Sequence, residues 1–356
     1  MKERLKKYDN EIYTIPYWKG NSVYHESLTF INYANSKPKA SLLFKPSEII
    51  SLRSSSLEIE YIEGKDFIVE NNWIIVIEGS RIPVIVESDL YTEEASFPSK
   101  SCDKNYAYFS NGSLLEKQIS VTYKHSDKWD GYIPQYCGEM LPKTVSKLKN
   151  REPLKIAFIG DSITALGDIS GSQNCKPFMP RYSEMVTERM RTLSGSNIEY
   201  INLAIGGTSS NKYLEDEDMK NQVHAFKPDL VFIAYGMNDG GWLNSEKFTA
   251  NISAIINDIK SKLPEAEFIL ISTVVPNKDA CWANRSPVYI FQDDYEKAME
   301  KLEQKGICVA RINTIYNYLE RKKGFWSMTA TGLNHPNDFT VRMYTHTILQ
   351  MIFEEI

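Results

Sequence analysis

The sequence predicts an α/β protein in two parts, a small β-sandwich followed by a three-layer α/β/α domain on a mainly parallel sheet. Two rhythms carry this expectation. Up to about residue 123, apolar and polar residues alternate with the period of two that half-buried antiparallel strands require. Leu57, Ile59 and Tyr61 alternate with Glu58 and Glu60, and Ile82, Val84 and Val86 flank a proline and precede Glu87. From residue 151, short apolar strands alternate with amphipathic helices, as they do where helices cover both faces of a parallel sheet.

In chain order, turns fall at Glu63-Gly64-Lys65 and Asn71-Asn72, and no convincing amphipathic helix interrupts the first part. Residues 1–123 therefore read as a jelly-roll-like sandwich, an accessory domain. Residues 124–150, with Trp129, Gly131, Pro134 and Pro142, read as a connector packed across the junction. Residues 151–356 form the second domain. Its first strand covers 156–159 and breaks at Gly160. Tyr182, Met185, Val186, Met190 and Leu193 follow at helical spacing, and a second strand covers 198–203. A third strand runs from Asp229 to Tyr235. Phe248, Ile252, Ile255, Ile256, Ile259 and Leu263 share one helix face, with Ser245 as N-cap. Strands at 268–272 and 307–312 complete the sheet, and Asp338 caps a last helix reaching about residue 353.

Composition narrows the function. The chain has 356 residues, 42% of them apolar and 12% aromatic, which exceeds one ordinary domain and supplies a packed core. A net charge of −5 without a basic stripe argues against a nucleic-acid partner. The longest apolar runs are about five residues, too short to span a membrane. Five cysteines without metal-type spacing read as buried small hydrophobes in a reducing compartment. The charged N-terminus shows no signal peptide, so a cytoplasmic location is expected, or secretion if a leader has been trimmed. The acidic runs Asp216-Glu217-Asp218 and Gln292-Asp293-Asp294 read as solvated loops, and neither a metal nor a cofactor is expected.

The chemistry concentrates at strand ends. Lys155-Ile-Ala-Phe-Ile-Gly-Asp-Ser-Ile-Thr164 presents Ser162 just past a carboxyl end, where open α/β sheets bind ligands. A serine is a weak nucleophile and needs a base. The second strand ends in Gly206-Gly207, the third in Gly236-Met-Asn-Asp239, and His335 follows far downstream in Gly332-Leu-Asn-His-Pro-Asn-Asp338. His335 could take the Ser162 proton. The Ser162 N–H, the Gly207 N–H and the Asn238 amide could hold an oxyanion.

These blocks, Gly-Asp-Ser-Ile-Thr at 160–164, Gly207, Gly-Met-Asn-Asp at 236–239 and His335-Pro336, resemble the four blocks of the SGNH (GDSL-type) hydrolases, in the family's order. The resemblance covers roughly residues 151–356. It implies that Ser162 is nucleophile, that Gly207 and Asn238 are oxyanion donors and that His335 is general base. A sandwich ahead of such a domain is similar to the layout of the family 2 carbohydrate esterases, which deacetylate plant polysaccharides.

One position departs from the pattern. The family usually places an aspartate three residues before the histidine, and here that position is Gly332. Some family 2 carbohydrate esterases are understood to work with a Ser–His pair alone. The expected brace for His335 is a backbone carbonyl from the 326–332 loop. A carboxylate from elsewhere in the fold and Asp338 are the alternatives. Trp242 and Trp326 could stack on sugar rings. Asp161 and Asp239 read as turn formers bonding nearby backbone, and His25, His125, His224 and His346 as structural or exposed.

The expected activity is a carboxylic ester hydrolase, a serine esterase removing acetyl or other small acyl groups from the hydroxyls of an acetylated oligo- or polysaccharide. The alternatives are a lysophospholipase- or thioesterase-type acylhydrolase and a non-catalytic carbohydrate-binding protein.

Overall fold

A computed structural model of the protein describes residues 3–34, 36–94 and 97–355. Five strands, all parallel, build the main sheet: Leu154–Gly160, Ile198–Asn202, Leu230–Ala234, Glu267–Ile271 and Ile307–Ala310. In space the second lies outside the first, and the third, fourth and fifth follow on the other side. The order therefore reverses between Leu154–Gly160 and Leu230–Ala234. Their carboxyl ends frame the crevice where such sheets bind ligands.

Side chains alternate across this sheet. Ile156, Phe158, Phe232, Ile269 and Cys308 enter one apolar cluster, and Ile159, Val231, Ile233, Phe268 and Val309 enter another. Helices Tyr182–Ser194, Ile312–Lys323 and Asp338–Ile352 contribute to the first cluster, and Ser245–Lys262 and Gln292–Glu300 to the second. The α/β/α layering expected from the alternating rhythm is present.

Ahead of it, Ser22–Leu28, Ile119–His125, Pro46–Ser54 and Glu60–Tyr61 form an antiparallel sheet, and Lys39–Ser41, Trp73–Val76 and Phe67–Glu70 form another. Val23, Leu52, Val121 and Tyr123 of one meet Ala40, Phe67, Ile74 and Val76 of the other in the first apolar cluster. That cluster thus runs from Leu5 to Ile352 through both halves of the chain.

Several sequence expectations shift here. The alternation at 57–61 is mostly a turn: Leu57 takes φ +65° and donates its N–H to Ser54 O, leaving only Glu60–Tyr61 as strand. Of 82–86, only Ile85–Val86 is strand. Inside the expected connector lies a helix, Pro142–Lys149, opened by a proline that needs no N–H bond in its first turn. The long helix begins at Asn244 rather than Ser245 as cap, and the last is capped by Asn337, whose side chain accepts Thr340 N at 3.0 Å. Cys281 and Cys308 are buried, but Cys102 is exposed. Among the described residues, no helix is long and apolar enough to cross a membrane.

The two halves are joined by buried polar contacts. Lys323, at the end of Ile312–Lys323, pairs with Glu26 where both are fully enclosed, and it donates to Ser27 O at 2.9 Å. Glu26 also accepts Leu43 N at 2.8 Å and Tyr123 OH at 2.7 Å, so no charge in the pair is left bare. Arg342 donates to Tyr13 O and Tyr24 O.

Candidate active site

Ser162 opens the one-turn helix Ser162–Ala165 directly after the first strand. Gly160 is required before it, because a Cβ there would stand 2.5 Å from Ala234 O on the adjacent strand. Asp161 caps the helix by accepting Ile163 N at 3.1 Å, and its other oxygen accepts Met237 N at 3.3 Å. Asp239 accepts Ser210 N at 2.9 Å and Ser210 Oγ at 2.5 Å. The two carboxylates are therefore more than local turn formers. Between them they tie the ends of the first three strands together. Burial pushes Asp161 up to about 7, against its backbone bonds, and raises Asp239 as well.

Ser162 Oγ lies 2.6 Å from His335 Nε2. The other ring nitrogen, Nδ1, makes a short contact with Asp168 Oδ2. Serine, imidazole and carboxylate thus stand in line, in the arrangement that lets a carboxylate fix the histidine tautomer. Burial alone would raise the Asp168 carboxyl; the bond and charge of His335, with the Tyr108 hydroxyl, outweigh it and hold the group below its usual range.

Asp168 corrects the expectation of a backbone-carbonyl brace. It arrives on the loop after the nucleophile's own helix, six residues beyond Ser162. Gly167 and Asp168 there take φ +71° and +41°, and aspartate tolerates that region better than most residues. Asp338 is a second correction. It faces away from His335, accepting Ser170 N at 2.8 Å and Ser170 Oγ at 2.5 Å, and so anchors the loop that presents Asp168. Its carboxylate borders a cavity of about 40 Å³ near Arg342, and burial pushes it up to about 6 despite the Ser170 bonds.

The remaining blocks converge on the same place. A Cβ on Gly206 would lie 3.8 Å from the Ser162 Cβ, which puts the Gly206–Gly207 turn beside the nucleophile. Gly207 takes φ +75°, which favours glycine, and with nothing within 4 Å of its Cβ position the backbone is open. Asn238 donates Nδ2 to Thr208 O at 2.8 Å, joining the third strand's loop to the residue after Gly207.

Trp242 is 56% exposed. Trp326 packs against Phe109 and Gly332 and also lines a groove with Tyr33 and Trp73. Asn277 is buried and donates to Gly332 O at 3.3 Å. The other histidines lie elsewhere: His25 bonds Ser120, His125 stacks on Phe44, His224 pairs with Asp258 and His346 bonds Tyr13 O. Among the described residues, no cluster of His, Cys, Asp or Glu gathers as metal ligands.

The fold resembles solved structures at low identity. A two-domain esterase (CEX) active on acetylated mannans, co-crystallized with mannopentaose, is 22% identical, with 62% of this chain matching 56% of that one at a TM-score of 0.44. The match thus spans little more than half the length of that esterase. An Axe2 mutant, an acetyl-xylooligosaccharide esterase from Geobacillus, is 20% identical over 57% of this chain and 96% of its own, at 0.44. A carbohydrate esterase family 3 protein from Talaromyces cellulolyticus is 14% identical over 55% and 94%, at 0.41. No curated protein matches the sequence. The GDSL-like lipase/acylhydrolase family matches residues 158–340, from the strand that leads to Ser162 into the helix beyond His335. On that match, which covers just over half of the sequence, the chain belongs to the GDSL-like lipase/acylhydrolase family.

Proposed function

We propose that the protein is a serine esterase that removes acetyl or other small acyl groups from carbohydrate hydroxyls. The observation that carries the reading is the line from Ser162 Oγ through His335 to Asp168. In the proposed cycle, Ser162 Oγ attacks the acyl carbon while His335 Nε2 takes its proton. Asp168 keeps the Nδ1 proton in place and stabilises the imidazolium. The Ser162 and Gly207 N–H groups and the Asn238 amide hold the oxyanion. The tetrahedral intermediate then collapses, and His335 gives its proton to the departing sugar oxygen. Water, deprotonated by His335, attacks the acyl-enzyme, and the carboxylic acid leaves as Ser162 recovers its proton.

The preference for a small acyl group on a polar alcohol is supported by the side chains on the strand-end loops. Trp242, Asn244, Lys278 and Asn284 are exposed there. They suit a hydroxylated ring better than an alkyl chain.

The test is a screen of p-nitrophenyl acetate, butyrate and octanoate beside acetylated xylan and mannan fragments, with Ser162→Ala as control. The expected result is activity falling steeply from acetate to octanoate, acetate release from the saccharides without added metal, and loss of both in Ser162→Ala. A preference for octanoate would move the reading to a lipid or thioester acylhydrolase. Activity retained by Ser162→Ala would remove the nucleophile.

A further inference from the structure

The carboxylate behind His335 is held by a side chain from the first half of the chain. Tyr108 donates its hydroxyl to Asp168 Oδ2 at 3.2 Å, the same oxygen that meets His335 Nδ1. The other oxygen accepts Gln173 Nε2 at 2.6 Å. The groups facing Asp168 are thus His335, Tyr108 and Gln173.

Tyr108 reaches this position on a segment docked firmly against the catalytic loops. Phe109 N donates to Thr331 O at 3.0 Å, and the Phe109 ring packs against Gly332. Tyr106 OH donates to Asp279 at 2.9 Å, Lys100 N to Asp279 O at 2.8 Å and Cys281 N to Pro98 O at 2.8 Å. The Phe97 ring lies 5.9 Å from both Tyr108 and Trp282. The segment 97–109 is therefore clamped to the loops at 279–282 and 329–333, one of which leads directly into His335.

We propose that Tyr108 is a positioning residue: its hydroxyl, with Gln173, fixes the Asp168 carboxylate so that one oxygen faces His335. The proposal rests on the reading of Asp168 as the acid of the relay. Three donors on two oxygens leave the carboxylate little freedom to rotate. Without Tyr108 the side chain, 22% exposed, would trade that bond for water. A phenol hydrogen bond also favours the charged form of Asp168. The half of the chain that looks like an accessory domain would then supply part of the catalytic unit.

Tyr108→Phe tests this, because it keeps the ring and its packing and removes only the hydroxyl. Losing a hydrogen bond to a charged group predicts a fall in kcat on p-nitrophenyl acetate of about 10-fold, with KM nearly unchanged. In an Asp168→Asn background, the same Tyr108→Phe change costs nothing further. The titration of the Asp168 carboxyl carbon, followed by ¹³C NMR, moves up in Tyr108→Phe. That measurement needs no turnover, so a protein that hydrolysed no ester would sink the functional reading while leaving Tyr108 judged on Asp168 alone. An unmoved Asp168 titration, or an equal loss in both backgrounds, overturns the proposal.

Discussion

Gly332 and Phe109 occupy the space where the family's usual aspartate would stand. A Cβ on Gly332 would lie 3.2 Å from the Phe109 ring and 3.0 Å from Trp326, and the residue takes φ +77°, where side chains are strained. An aspartate three residues before His335 would thus be disfavoured on two counts, by crowding from the two rings and by the left-handed backbone. The same aromatic packing that crowds it brings in Tyr108, and the carboxylate comes instead from Asp168.

Restoring the family's residue should therefore harm the protein. Gly332→Asp is expected to lower the melting temperature and to reduce kcat/KM, because Trp326 and Phe109 must move and His335 moves with their loop. Wild-type stability together with raised activity would show that the pocket can admit the acid after all.

Asp168 and Asp338 should separate cleanly. Asp168→Asn is expected to lower kcat by ~10³–10⁴, the scale of the corresponding change in a serine triad. Asp338→Asn should keep most of the activity, since an asparagine there can accept Ser170 N and donate to Ser170 Oγ. Steady-state kinetics on p-nitrophenyl acetate decide the matter; the opposite ranking would move the acid to Asp338.

Asn238→Ala should lower kcat by about 10²–10³ with a smaller change in KM, as for the loss of one oxyanion donor. The tie to Thr208 O is lost with it, so circular dichroism and thermal melts should accompany the kinetics. A rise in KM alone would make Asn238 a substrate-binding residue.

Ser162, Gly207, Asn238 and His335 were legible in the sequence because each sits in a short block at a strand end, where neighbours in sequence are neighbours in space. Asp168 was not. Its only local sign is the Gly167-Asp168 pair just after the nucleophile's helix, and its partner lies 167 residues away. Asp338 looked closer because it is three residues from the histidine, but at the first turn of a helix its side chain turns toward Ser170. The parallel domain was readable from its alternating apolar runs. The first half was harder, since Ser22–Leu28 and Ile119–His125 are largely buried, Pro46–Ser54 is buried only at its last three residues, and none of the three shows a clean two-residue alternation.

Asp338 also predicts a pH dependence of stability. Its folded carboxyl titrates at about 6, above the value of about 4 expected in the unfolded chain. Between those values the native state holds the extra proton, so its stabilising contribution is present below pH 4 and is lost as pH rises through 6. The loss amounts to ~3 kcal/mol. Asp338→Asn does not titrate there, so its melting temperature should gain on the wild type between pH 4.5 and pH 8. A constant difference across that range would show that Asp338 is ionised throughout.

The apolar cluster from Leu5 to Ile352 bears on how the chain can be divided. A cut near residue 150 would strip the Tyr17 ring from Phe339 and His346, and would leave Lys323 or Glu26 as a lone charge in an apolar wall. Neither fragment would carry a finished surface. Expressed separately, the halves should aggregate or fold only when mixed, and the whole chain should melt in a single calorimetric transition.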